Sequence, residues 1–252
     1  MKTIYEPKGR ALEYSLLALN HYNGCEHGCS YCYARDMAER WGKPFAVASP
    51  RSGVVAALRK EAPSFAGTDK RVLLSFSTDP YQAANDRFGL TRQVLTVLRD
   101  HDIPWQILTK GGLRAVADFD LYGRRDAFAT TMTFIDRLRS VEFEPNAATP
   151  QERIAAIREA QVLDIETWVS LEPVIDPAES LAVIDATHDV VDLFKIGKLN
   201  HRTSTVDWRA FGIEAIARCE AYGVAYYVKD DLAKHLVGVR YTSTDTRRVT
   251  PF

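Results

Sequence analysis

The sequence predicts an α/β protein built on a parallel sheet in a single domain. Three observations carry that expectation: seven short apolar, β-branched runs, helix-like stretches between most of them, and polar residues straight after six of the runs. Apolar runs of about 4–8 residues suit strands covered on both faces, and their alternation with helices implies βα units. The runs are "EYSLLALN" (13–20), "RVLLSFS" (71–77), "PWQILT" (104–109) and "AFATTMTF" (127–134). They continue with "IETWVSL" (165–171), "VVDLFKI" (190–196) and "VAYYV" (224–228). Six or seven units without an obvious linker predict a full or partial β/α barrel, with a doubly wound open sheet as the alternative.

The helices carry their own marks. "LTRQVLTVLRD" places Leu90, Val94, Leu95, Val97 and Leu98 on one side, with Thr91 near its start. "TPQERIAAIREAQVL" opens on Thr149, Pro150 and then Glu152 in the first turn, a capping signature. "DWRAFGIEAIARCEAYG" runs to Gly223, a helix stop.

Composition sets outer limits. At 252 residues, with 46% hydrophobic and 26% charged content, the chain reads as an ordinary soluble globular protein. No stretch approaches the roughly 18 apolar residues of a membrane span, and "MKTIYEPKGRALEY" lacks the apolar core of a secretory leader. A net charge of −1 gives no global attraction to nucleic acid. Local attraction stays open: residues 35–71 hold eight Lys/Arg against four Asp/Glu, and Arg247 and Arg248 sit in the tail. Four cysteines in such a chain point to a reducing cytoplasm rather than a disulfide scaffold.

In these folds chemistry gathers at the C-terminal ends of the strands. Those ends read "NHYNGCEHGCSYCY", "STDPYQ", "TKGG", "TMTFID", "LEPVID" and "KIGKLNH". Cys25, Cys29 and Cys32, spaced C-x3-C-x2-C, can turn their sulfurs to one centre. A structural zinc needs four ligands, so His21 or His27 would have to complete it. Three unligated buried thiols are the plainer alternative. An iron–sulfur cluster usually takes four cysteines; three on a four-iron cube leave one iron open for a substrate.

That spacing, with Tyr31 directly before the last cysteine, resembles the signature of the radical S-adenosylmethionine (SAM) enzymes. The longer stretch "LNHYNGCEHGCSYCYAR", with "STDPYQ", "ILTK" and "SLEPVID", is similar to the branch that contains spore photoproduct lyase. The resemblance runs from about residue 14 to about residue 200. It implies a partial (β/α)6 barrel over 13–228, an N-terminal extension over 1–12, and a C-terminal segment over 229–252 that packs on or closes the barrel. It further implies that Cys25, Cys29 and Cys32 hold a [4Fe-4S] cluster whose open iron chelates SAM. An electron, from a flavodoxin or ferredoxin in this reading, would then cleave SAM to a 5′-deoxyadenosyl radical that takes hydrogen from a substrate. The subclass of lyase, isomerase or transferase stays open.

The resemblance also assigns residues. Tyr31 would pack near the adenine and the Tyr33 backbone would read its edge. Many members carry Gly-Gly-Glu at the end of strand two; this chain has Ser77-Thr78-Asp79 there, so Thr78 and Asp79 are the candidates for the methionyl amine. Lys110 would pair with the SAM carboxylate, and Thr131 or Thr133 would meet ribose or methionine. Asp79 before Pro80 is also a common turn starter, and the threonines are good strand formers.

Glu172 follows "WVSL" and should enter the mouth, to bind a hydroxyl or an amine. Lys195, Lys198, Asn200 and Lys229 are the candidate substrate contacts, suited to an anion; Lys195 or Lys198 could instead pair with Glu172 as a structural ion pair. The expected substrate is a nucleoside, nucleotide or modified nucleic acid, with a peptide or other small molecule, or a non-catalytic metal-binding module, as alternatives. Where spore photoproduct lyase carries a cysteine before the Thr-Asp, this chain has Ser77, which speaks against repair of spore DNA. Cys219 and Trp168 read as core, and His101 and His188 as helix-end residues.

Overall fold

A computed structural model describes residues 2–200 and 202–245. Arg247 and Arg248 lie outside the described residues. Seven strands form one sheet: β1 (Leu17–Ala18), β4 (Val72–Leu74), β5 (Trp105–Thr109), β6 (Ala127–Thr131), β7 (Glu166–Leu171), β8 (Leu193–Ile196) and β9 (Ala225–Val228). β2 (Tyr22–Asn23) and β3 (Ser49–Pro50) make a separate antiparallel ribbon. Helices follow as α1 (Tyr33–Arg40), α2 (Val54–Glu61), α3 (Ala83–Phe88), α4 (Leu90–Asp100) and α5 (Arg137–Phe143). The rest are α6 (Pro150–Val162), α7 (Pro177–Thr187), α8 (Trp208–Tyr222) and α9 (Asp230–Ala233).

Every neighbouring pair in the large sheet is parallel, and the spatial order equals the chain order. A doubly wound sheet needs a reversal of strand order, so a singly wound half-barrel is the outcome. Each of the seven apolar runs contains one strand, with β9 falling in "VAYYV". The first run contributes only Leu17–Ala18, because a 3-10 turn over Gly9–Glu13 occupies its approach. Both open edges are covered: Tyr5 bridges Ala18 through two 2.9 Å bonds, and Thr244 N–H donates to Tyr226 O at 2.8 Å.

Strand register explains the interior. Leu108, Ala129, Trp168 and Leu193 form one inward layer, with Thr131, Ser170 and Lys195 in the layer above. The alanines of β6 leave room for the Trp168 ring, which is 1% exposed. The opposite sheet face, with Ile107, Phe128, Val169 and Phe194, packs under the helices. Thr149 and Glu152 close the expected capping box on α6, and α8 stops at left-handed Gly223. Cys219 is fully buried, and His101 and His188 cap α4 and α7. Among the described residues no helix is long and apolar enough to cross a membrane.

Candidate active site

The C-terminal ends of the strands surround a cavity of about 480 Å³. Cys25, Cys29 and Cys32 share its wall with Tyr31, Tyr33, Thr78, Asp79, Lys110, Thr131, Glu172, Asn200 and Lys229. Phe45, Phe76 and Leu108 supply apolar wall, and Lys8 and Arg10 reach it from the N-terminal segment. The fold thus brings most of the expected site residues to one mouth. Thr133, Lys195 and Lys198 are not on its wall.

The cysteines sit on the loop between β2 and α1. Gly24 opens it with φ +75°, and a Cβ there would lie 2.6 Å from Phe45 O, so the tight approach requires glycine. Cys25 N–H then donates to Phe45 O at 2.8 Å, and Cys32 caps the N-terminus of α1. All three thiols are free; Cys29 is buried and the others half-buried. Burial pushes the Cys29 thiol up to about 11 and Cys25 further. Among the described residues no three Cys, His, Asp or Glu side chains gather round one metal-ion position. The donor set, three soft thiols lining one cavity, fits a multi-iron cluster in its chemistry. His21 is remote from this role: its Nε2 meets Thr91 Oγ1 at 2.9 Å in the core.

Asp79 is a buried hub. One carboxylate oxygen accepts from Tyr81 N–H (2.8 Å) and Thr109 Oγ1 (2.5 Å). The other accepts from Lys110 N–H (2.7 Å), with His27 Nε2 3.1 Å away but out of hydrogen-bond alignment. Burial alone would raise its pKa, yet His27 and these donors outweigh it and hold the carboxyl well below the usual range. Thr78 is equally committed, donating to Gly24 O at 2.7 Å and accepting from Gln82 Nε2 at 2.8 Å. Gln82 also takes Glu26 N–H at 2.8 Å, so "STDPYQ" buttresses the cysteine loop. Sequence reasoning had singled out Asp79 and Thr78 but not Gln82 or Thr109.

Lys110 is differently placed. Its Nζ lies 5.6 Å from the Tyr31 ring centroid and makes no ion pair among the described residues, leaving the cation available to the cavity. The Tyr31 hydroxyl donates to Glu144 and lies 3.1 Å from Thr133 Oγ1, so Thr133 supports Tyr31 from behind. The Tyr33 hydroxyl donates to Phe76 O at 2.6 Å.

Glu172 does not pair with Lys195 or Lys198; its cation is Lys229. Tyr14 OH (2.6 Å) and Asn200 Nδ2 complete its partners, and Lys229 also faces Glu13 at 3.9 Å. Register decides this: Lys195, paired with Ser170, points into the barrel interior beneath the mouth. It is 1% exposed, 4.2 Å from the Trp168 ring centroid, and donates to Tyr14 O at 3.2 Å. Lys198 turns away to Trp208, 5.3 Å from its ring centroid. The two lysines are thereby corrected as cavity contacts.

Burial, with Lys229 and Arg71 nearby, lowers Lys195 to about 7. The folded chain therefore holds it neutral above that pH, where an unfolded lysine stays charged up to about 10.4. In that window the unfolded state binds the extra proton, so this group makes stability rise with pH, by at most about 1.4 kcal/mol per pH unit. Lys195→Met is expected to remove that slope and to be at least as stable as the parent near neutrality. Urea unfolding at about pH 7 and about pH 9 checks it; an unchanged slope would show that Lys195 stays charged in the fold.

No protein-family model matches the chain. An uncharacterised protein of Mycobacterium tuberculosis is 30% identical over 179 residues, 67% of this chain and 52% of that one. An uncharacterised protein of Methanocaldococcus jannaschii is 25% identical over 195 residues, 74% and 71% of the two chains. The chain spans about half the length of the mycobacterial relative. Among solved structures the architecture is that of the radical SAM partial barrel. In particular, spore photoproduct lyase complexed with dinucleoside spore photoproduct superposes with TM-score 0.69 at 13% identity, over 90% of this chain and 78% of the lyase. Streptococcus suis SuiB bound to S-adenosylmethionine gives 0.63 at 10%, over 89% and 53%. At such identities the likeness establishes the fold.

Proposed function

We propose that this chain is a radical SAM enzyme. The observation that carries the reading is the placement of three free cysteine thiols on the wall of the cavity at the barrel's C-terminal mouth. With a [4Fe-4S] cluster on Cys25, Cys29 and Cys32 and SAM beside it, the bound pair supplies a reductively generated 5′-deoxyadenosyl radical.

The chain's own residues do the rest. Lys110 offers a cation on the same wall as the cysteines, suited to the SAM carboxylate as a point charge. Thr131 lies on the same wall, where it can meet the bound molecule. Asp79 and Thr78 act through the cysteine loop, since internal donors and acceptors already engage their side chains. Phe45, Phe76 and Leu108 exclude water, which protects a reactive intermediate from side reactions. Across the cavity, Tyr14, Glu172, Asn200 and Lys229 form a polar wall for the substrate. Lys8 adds positive charge to the lining, while Arg10 is paired with Asp231 at 2.7 Å; with Lys110, this favours an anionic substrate such as a nucleotide or modified nucleic acid over a neutral peptide.

Anaerobic reconstitution with iron and sulfide, reduction, and incubation with SAM tests the reading. The expected result is roughly four irons per chain and formation of 5′-deoxyadenosine, both lost in Cys29→Ala. One tightly held zinc and intact SAM would overturn it.

A further inference from the structure

One buried anion has no place in that chemistry. Glu144, at the C-terminal end of α5, is 1% exposed and lies off the cavity wall. Its carboxylate nevertheless collects four side chains. Arg153 donates at 2.5 Å, the Tyr31 hydroxyl donates, and the hydroxyls of Thr133 and Ser140 lie at 3.3 and 3.4 Å. Arg153 is itself wholly buried and tied to the carbonyls of Ala148 and Thr131, each at 2.9 Å. Backbone contacts extend the grip: Ser30 N–H donates to Phe143 O at 2.8 Å, and Asn146 N–H to His27 O at 3.1 Å. Asn146 Nδ2 adds a bond to Glu26 O at 2.9 Å. Residues 143–146 thus clasp residues 26–31 while the cysteines line the cavity.

We propose that Glu144, fixed by Arg153, is a positioning residue that sets the conformation of the cysteine loop through the Tyr31 hydroxyl. The inference deepens the reading of the site given above and rests on it for the identity of the bound group. The loop needs such a hold. It contains two glycines with positive φ, Gly24 and Gly28, and left to itself it would sample many conformations. Ordering the loop before anything binds removes that entropy from the binding step. An ion pair that served only α5 and α6 would need no contact with Tyr31. Because Arg153 compensates the charge of Glu144, the carboxylate stays an acceptor in the buried setting, and a phenol donates strongly to such a group.

The test uses Tyr31→Phe, which removes one hydroxyl and leaves the Glu144–Arg153 pair intact, alongside Glu144→Gln. In the metal-free full chain, amide hydrogen exchange over residues 25–33 is expected to quicken about ten-fold or more in Tyr31→Phe, with α8 unchanged. In the reconstituted chain, iron release to a chelator is expected to quicken by about 10–100-fold, as when a support behind a metal ligand is lost. Glu144→Gln should move both readouts the same way. Unchanged loop exchange, exchange raised equally in α8, or iron held as tightly as in the parent would each overturn the proposal. A parent chain that takes up no iron would defeat the reading of the site instead; the exchange measurement would still decide the positioning role.

Discussion

Replacing Arg153 with methionine is expected to destabilise the fold by about 3–5 kcal/mol, because it strands a buried carboxylate. For a chain of this size that corresponds to a fall in melting temperature of roughly 6–20 °C. The pair it breaks is completely enclosed, both side chains being 0% exposed. Burial alone would raise the Glu144 pKa; Arg153 and, more distantly, Lys110 reverse that and keep it below its ordinary value. A double variant, Glu144→Gln with Arg153→Met, should cost less than Arg153→Met alone, since no buried charge is left unpaired. Calorimetry of the parent, both single variants and the double variant would establish the coupling. Strictly additive losses would mean that the pair is not coupled in the folded chain.

Lys229→Met is the second large effect, and it falls on the opposite wall of the cavity. Lys229 is 3% exposed and sits between Glu172 and Glu13, with its Nζ 4.1 Å from the Tyr14 ring centroid. Removing the cation leaves two carboxylates facing each other in a poorly solvated place, at a cost of about 3–5 kcal/mol. The damage should spread along the chain, because Glu13 also accepts Asp230 N–H at 2.6 Å at the start of α9. Limited proteolysis is expected to cut near residues 230–245 in this variant sooner than in the parent. Adding Glu172→Gln should recover part of the loss. If Lys229→Met is as stable as the parent, the cation is not what holds the two carboxylates together.

These two variants mark the boundary of what could be read in advance. The strand runs, the capping box at Thr149, the stop at Gly223 and the three-cysteine loop depend on residues adjacent in the chain. Short α1 was less visible, since it faces solvent and buries only Ala34. So was the 3-10 stretch Gly112–Leu121, which lacks the α-helical period. Glu144 carries no signal in its own stretch: the carboxylate gains its role from Arg153 and from Tyr31, the latter 113 positions away. Asp79 looked like a ligand because it ends a strand; three bonded donors and the His27 contact engage it from within.

What the sequence determined by itself was the succession of parallel strands and helices and the cluster of thiols at the first strand end, since these arise from local periodicity, steric preference and spacing. Tertiary structure alone decided which cation meets Glu172. The inward pleat of β8 sends Lys195 beneath the mouth, while the end of β9 delivers Lys229 to it. Side chains separated by 57 positions meet only through sheet register and the curvature that brings strand ends together, and neither is written in any short stretch of residues.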